Sequence, residues 1–159
     1  MSNAKMSILI TGASSGIGEA LAYHYAENGQ HHLLLTGRNT TRLNQVAKKC
    51  TTYGATVSSK TIDVCDRNDM HAWLSVQNSK NPVDLIIANA GISGGTANMD
   101  TSDIIPHIRH IYDTNITGVL NTLEPLVSSM VARGSGQIAL MSSMASYAPW
   151  PGAPAYASS

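Results

Sequence analysis

Short apolar runs alternate along the chain with stretches of helical periodicity. Met6–Thr11, His32–Thr36, Thr56–Ile62, Val83–Ala88 and Gln137–Met141 read as strands. Ile8-Leu9-Ile10, Leu33-Leu34-Leu35 and Leu85-Ile86-Ile87 are continuous where a half-buried strand would alternate, which suits strands covered on both faces. Between them, Ile17, Ala20, Leu21 and His24 follow helical spacing, with Asn28-Gly29 as a left-handed stop. Leu43, Val46, Ala47 and Cys50 make a second stripe, with Thr40 or Thr41 as N-cap. Asp66 is placed to cap a third helix whose stripe is Met70, Trp73, Leu74 and Gln77. The longest helix is predicted from about Asp103 to Arg133. Its inward face would be Ile108, Ile111, Tyr112, Ile116, Val119, Leu123, Leu126 and Met130. Pro106 would fall in its first turn, and Pro125 should bend it.

This β-α-β-α-β-α-β-α-β order predicts an α/β fold with a doubly wound parallel sheet. No repeat, low-complexity tract or linker interrupts residues 1–159, so one domain is expected. Met1-Ser2-Asn3-Ala4 carries no pattern and receives no functional weight.

Composition sharpens this only by exclusion. With 43% hydrophobic and 13% charged residues, the chain is built to bury a core. Ten basic side chains balance ten acidic ones, which argues against a nucleic-acid partner and against a surface relying on anionic lipid. No apolar stretch is long enough for a signal peptide or a membrane span. Cys50 and Cys65 form no CxxC pattern and read as free thiols in a reducing, cytoplasmic setting.

The chemistry begins after the first strand, with Thr11-Gly12-Ala13-Ser14-Ser15-Gly16-Ile17-Gly18 leading into a helix. A pyrophosphate needs backbone N–H groups at a helix N-terminus and no Cβ against its approach. Gly12, Gly16 and Gly18 meet the second need, and Ser14 and Ser15 add hydroxyls. This stretch resembles the Thr-Gly-x-x-x-Gly-x-Gly signature of the short-chain dehydrogenase/reductase family. Later landmarks follow in that family's order over essentially the whole chain, which implies a Rossmann fold and hydride transfer between a nicotinamide and an alcohol/carbonyl pair.

The second strand ends Leu35-Thr36-Gly37-Arg38, with no carboxylate for a ribose 2′-hydroxyl. A guanidinium grips a 2′-phosphate, so NADP(H) is expected ahead of NAD(H), and the resemblance implies the same for Arg38. It further implies that Asp63, followed by Val64, reaches the adenine amino group; a turn or capping carboxylate is the plainer reading of Asp63. Asn89-Ala90-Gly91 resembles the family's Asn-Ala-Gly, whose asparagine braces the sheet while the small residues let the cofactor ribose approach.

Carbonyl reduction needs a proton donor and a polariser beside the carbonyl oxygen. Ser143 follows the fifth strand, and Tyr156 lies thirteen positions later. By resemblance, Tyr156 is the general acid/base and Ser143 holds the substrate oxygen, with Ser142 its neighbouring rival. Asn115, in Thr114-Asn115-Ile116-Thr117-Gly118, matches a helix asparagine that orders a proton-relay water in relatives. Tyr147, Pro149, Trp150 and Pro151 lie between the serine and the tyrosine; by position they are candidates for an apolar substrate wall, and equally for packing within the loop. His107 and His110 have no further ligands to complete a metal set, so no metal site is expected.

The family motif is Tyr-x-x-x-Lys, and the sequence reads Tyr156-Ala157-Ser158-Ser159. A free tyrosine titrates near 10, so at pH 7 only about one in a thousand is ionised. A neighbouring ammonium lowers that value and makes proton exchange useful. The sequence thus predicts a sheet lacking the family's last strands, an unpaired edge at Gln137–Met141, and little turnover by the 159-residue chain itself. At full length a homo-oligomer acting on a small molecule is expected. The rival readings are a nucleotide-binding scaffold or sensor, and a fragment without function.

Overall fold

The computed structural model describes residues 5–96, 99–148 and 151–159. Strands β1 (Ser7–Ile10), β2 (His32–Gly37), β3 (Thr56–Thr61), β4 (Leu85–Ala88) and β5 (Gln137–Leu140) form one parallel sheet in the order β3-β2-β1-β4-β5. The connections are α1 (Gly16–Glu27), α2 (Thr40–Thr52), α3 (Arg67–Lys80), and a long helical crossover. That crossover is α4 (Thr101–Tyr112), a π-helical segment (Asp113–Thr117) and α5 (Gly118–Arg133). After β5 come a 3₁₀ turn (Met144–Ser146) and α6 (Pro154–Ala157).

The continuous apolar strands are explained by a core on each face. Ile8, Ile10, Leu33 and Leu35 point to one side, against Ala22 and Ala26 of α1 and Leu43, Val46 and Cys50 of α2. Leu9, Leu34 and Ile86 point to the other, against Met70 and Leu74 of α3 and Leu126 and Met130 of α5. Successive strand residues face opposite ways, so both parities must be apolar. At the outer edge, β3 carries Thr56, Ser58, Ser59, Lys60 and Thr61, and Lys60 pairs with Asp69 of α3. A charged, polar edge discourages pairing with other chains.

Several local expectations are corrected. On α1 the buried face is Gly18, Ala22 and Ala26, while Ile17 is 60% exposed and Ala20 and His24 are also exposed. Small residues let the helix lie close to the sheet, and a search for large apolar side chains misses that stripe. Neither Asn28 nor Gly29 is left-handed. Asn39, not Thr40 or Thr41, caps α2 by accepting from Arg42 N–H at 2.9 Å. Asp66 caps α3 as expected, accepting from Asp69 N–H at 2.9 Å. Because α4 starts at Thr101, Pro106 falls in its second turn. Tyr112 and Ile116 face outward; the inward positions are Ile111, Thr114, Gly118, Asn121, Thr122, Leu126 and Met130. The polar members of that face hold loops. Asn121 Nδ2 donates to Val64 O at 2.9 Å, and Gly118 packs on the Val64 side chain.

Candidate active site

In the order β3-β2-β1-β4-β5 the chain runs outward from β1 and then returns to β1's other side as β4. A crevice opens beyond the carboxyl ends of the strands at this reversal, the usual ligand position in open α/β sheets. The turns after β1 and β4 meet there. Gly12 adopts φ +67°, and a Cβ on it would lie 2.9 Å from Ala90 Cα; one on Gly18 would run into the Gly12 carbonyl oxygen. Thr11, 1% exposed, fastens the two turns together. Its hydroxyl accepts from the N–H groups of Asn89 at 3.1 Å and Ala90 at 3.0 Å, while Asn89 Nδ2 donates to Thr11 O at 3.0 Å.

The resulting cleft has a volume of about 770 Å³, within the range of small-molecule and cofactor sites. Toward β2 and β3 it is lined by Ser14, Ser15, Arg38, Asn39, Arg42, Asp63 and Val64. Beneath the glycine turn lie Gly12, Ile17, Asn89, Ala90 and Gly91. Toward β5 the walls are Asn115, Ser142, Ser143 and Tyr156. Gly16 and Gly18 do not border it; they shape the turn that does. Tyr147 is 93% exposed and lies off the lining, as does Pro151. Pro149 and Trp150 lie outside the described residues. Between Ser143 and Tyr156, Ser146 borders the cleft among the described residues, and Ser93 adds a hydroxyl from the loop after β4.

The polar groups of the cleft have defined partners. Ser143 Oγ accepts from Ala145 N–H at 3.2 Å, which leaves the hydroxyl hydrogen to be donated elsewhere. Ser146 Oγ donates to Ser143 O at 2.7 Å and pins the same turn. Asp63 Oδ1 accepts from Cys65 N–H at 2.9 Å, and Oδ2 lies 3.9 Å from Arg38 Nη1. Asp63 is thus a turn carboxylate and a cleft residue at once.

Asn115 is tied to the loop after β4, with Oδ1 accepting from Ile92 N–H at 2.8 Å and Nδ2 donating to Ile92 O at 3.0 Å. Nδ2 also donates to Ser159 Oγ at 2.8 Å, and Tyr112 Oη lies 2.9 Å from Ser158 Oγ. These contacts brace α6, which carries Tyr156, against the long crossover. Asn115 sits in the π segment, whose widened turn directs the side chain at Ile92; such segments are frequent at functional sites.

Sequence reasoning overlooked Thr11 and Arg42. Thr11 looks like the end of a strand, and its partners are distant in sequence. For Arg42 there was a signal: Arg38-Asn39-Thr40-Thr41-Arg42 puts two guanidinium groups four apart where strand gives way to helix. The two thiols stay apart from the site's chemistry, since burial pushes Cys50 up to about 11 and also raises Cys65.

The fit to a dinucleotide can be judged from the turn itself. Ser15 stands at the N-cap of α1 without a side-chain capping bond, so its hydroxyl is uncommitted, and no atom lies within 4 Å of where a Gly16 Cβ would stand. The start of α1 is thus uncrowded at Gly16, and a helix N-terminus favours an anion. A family model for short chain dehydrogenases matches residues 6–159. The chain belongs to the short-chain dehydrogenase family. This short-chain dehydrogenase is 38% identical over 144 residues to 11-beta-hydroxysteroid dehydrogenase A of Arachis hypogaea, a match covering 89% of this chain and 40% of that protein. It is 33% identical over 154 residues to an uncharacterized oxidoreductase of Myxococcus xanthus, covering 95% of this chain and 59% of that one. Its fold matches a crystal structure of actinorhodin polyketide ketoreductase with NADPH at a TM-score of 0.86 and 26% identity, over 99% of this chain and 61% of that one. The chain spans less than two thirds of the length of each. It is a short-chain oxidoreductase by family, and among the described residues no helix is long and apolar enough to cross a membrane.

Proposed function

We propose that this short-chain dehydrogenase binds NADP(H) and reduces a small carbonyl compound, or oxidises the matching alcohol. The observation that carries the reading is the single cleft that the glycine turn, Arg38, Ser143 and Tyr156 all border. When bound, the reduced nicotinamide would supply the hydride. Backbone N–H groups at the start of α1, with the Ser14 and Ser15 hydroxyls, would hold the pyrophosphate. Asp63 and Val64 would meet the adenine, and Asn89, Ala90 and Gly91 would bound the ribose.

The Tyr156 hydroxyl donates its proton to the carbonyl oxygen as negative charge gathers there, and takes a proton back in the oxidative direction. Ser143 donates its hydroxyl hydrogen to the same oxygen. One of its lone pairs accepts from Ala145 N–H, which holds the oxygen in place and leaves the hydroxyl hydrogen for the substrate. Asn115 acts at one remove, by holding Ile92 and α6 in place.

The test separates binding from turnover. NADPH fluorescence should change on mixing with the 159-residue chain. NADPH oxidation with small ketones and aldehydes is then followed for the protein as its gene encodes it. Tyr156→Phe should lower turnover by about 10²-fold or more while nucleotide affinity holds. Equal turnover by Tyr156→Phe would remove the tyrosine from the chemistry, and no NADPH binding at all would end the cofactor reading.

A further inference from the structure

The turn after β5 carries two serine hydroxyls that border the cleft together with Tyr156, and its hydrogen bonds give them opposite roles. A hydroxyl has one hydrogen to donate and two lone pairs to accept with. Ser143 Oγ accepts from Ala145 N–H at 3.2 Å, so its hydrogen is the part left to offer. Ser146 Oγ donates to Ser143 O at 2.7 Å, so its hydrogen is committed and its lone pairs are left. Each serine keeps the half that the other has used.

The backbone fixes this polarity. Ser146 N–H also donates to Ser143 O, at 3.1 Å, and closes the 3₁₀ turn Met144–Ser146. One turn of such a helix advances about 6 Å, which puts both hydroxyls within reach of one small molecule. Ser93 borders the same cleft from the loop after β4, where the Asn115 side chain clamps Ile92 beside it. The carbonyl oxygen of a substrate accepts from Tyr156 and Ser143. It has no hydrogen to give to Ser146, whose lone pairs call for an O–H.

We propose that Ser146 is a specificity residue: it accepts a hydrogen bond from a hydroxyl group next to the substrate carbonyl. The substrates are then hydroxy ketones and hydroxy aldehydes, with the matching diols in the oxidative direction. This rests on the carbonyl-reducing reading above and narrows it. A plain ketone of the same size displaces water from Ser146 Oγ and returns no donor, a loss that the hydroxylated compound does not suffer.

Hydroxyacetone and 2-butanone test this, because they share a skeleton and differ by a hydroxyl in place of a methyl group. Methoxyacetone keeps the electron-withdrawing oxygen without the O–H and so separates recognition from the reactivity of the carbonyl. NADPH oxidation is followed for the protein as its gene encodes it. The kcat/KM for hydroxyacetone should exceed that for 2-butanone and for methoxyacetone about tenfold or more. Ser146→Ala should shrink that ratio about fivefold, and Ser146→Thr, which restores the hydroxyl, should keep most of it. Equal kcat/KM for the three ketones overturns the proposal and leaves the carbonyl-reducing reading intact. A Ser146→Ala variant that loses the same factor on all three also overturns it, by making Ser146 only a brace of the turn. No oxidation of NADPH with these or with other small ketones and aldehydes removes the carbonyl-reducing reading, and the proposal with it.

Discussion

Thr11 and Asn115 do similar work with different groups, each tying together loops that the sheet alone only brings near. The Thr11 hydroxyl accepts from two backbone N–H groups in the turn after β4. Thr11→Val keeps the shape and removes both acceptors, so the N–H groups of Asn89 and Ala90 lose their partners. A loss of about 2–4 kcal/mol in urea unfolding is expected, with weaker nucleotide binding in the folded fraction. A second residue-scale effect concerns His32, buried with Nε2 3.0 Å from Ser58 Oγ and Nδ1 3.4 Å from Ser7 Oγ. Burial first, and then the nearby charge of Lys5, hold its pKa below the ordinary histidine value. The unfolded chain therefore binds the proton more readily than the folded one. Stability is full above about pH 6.5 and falls as pH drops through that value, levelling off below the folded pKa. His32→Gln should flatten the dependence of the urea midpoint between about pH 5 and 7.5. Gly12, Arg38, Ser143 and Tyr156 stand out in the sequence by type and spacing, and all four border one cleft. Thr11 does not stand out, since its task is set by partners 78 and 79 positions away.

Among the elements, the strands were read nearly to the residue, and the helix faces less well. A strand covered on both sides declares itself by an unbroken apolar run, as Leu33-Leu34-Leu35 does. The inner face of the long crossover instead carries Thr114, Gly118, Asn121 and Thr122, which hold the loop after β3 and fit close to it. Hydrophobic periodicity is blind to a face that packs by smallness and hydrogen bonding. The π segment is hidden for a related reason: nothing in Asp113-Thr114-Asn115-Ile116-Thr117 demands an extra-wide turn until Ile92 is there to be held. At the other end of the sheet, β5 has one strand neighbour among the described residues, β4, and Ile138, Leu140 and Met141 are 42%, 58% and 44% exposed. Such an edge invites pairing between chains. Sedimentation of the 159-residue chain at tens of micromolar should show association, and Leu140→Lys should shift the population toward monomer. A monodisperse wild-type monomer would contradict this.

For the whole molecule, the reversal between β1 and β4 makes the crevice and so decides where a ligand can sit. The apolar and helical pattern was enough to foresee it, because short connections and two-sided burial leave few arrangements of such a chain. The pattern did not reveal how the walls of the crevice are tied, which depends on contacts between distant turns. The strand order also has a consequence for how the protein is made. β1 is synthesised first, yet its second neighbour, β4, ends only at Ala88. Until Ala88 has been made, the growing chain offers Ile8-Leu9-Ile10 as an open rim, and the glycine turn has no opposite bank. A nascent chain stalled before Leu85 is thus at its stickiest and has no place for a nucleotide to rescue it.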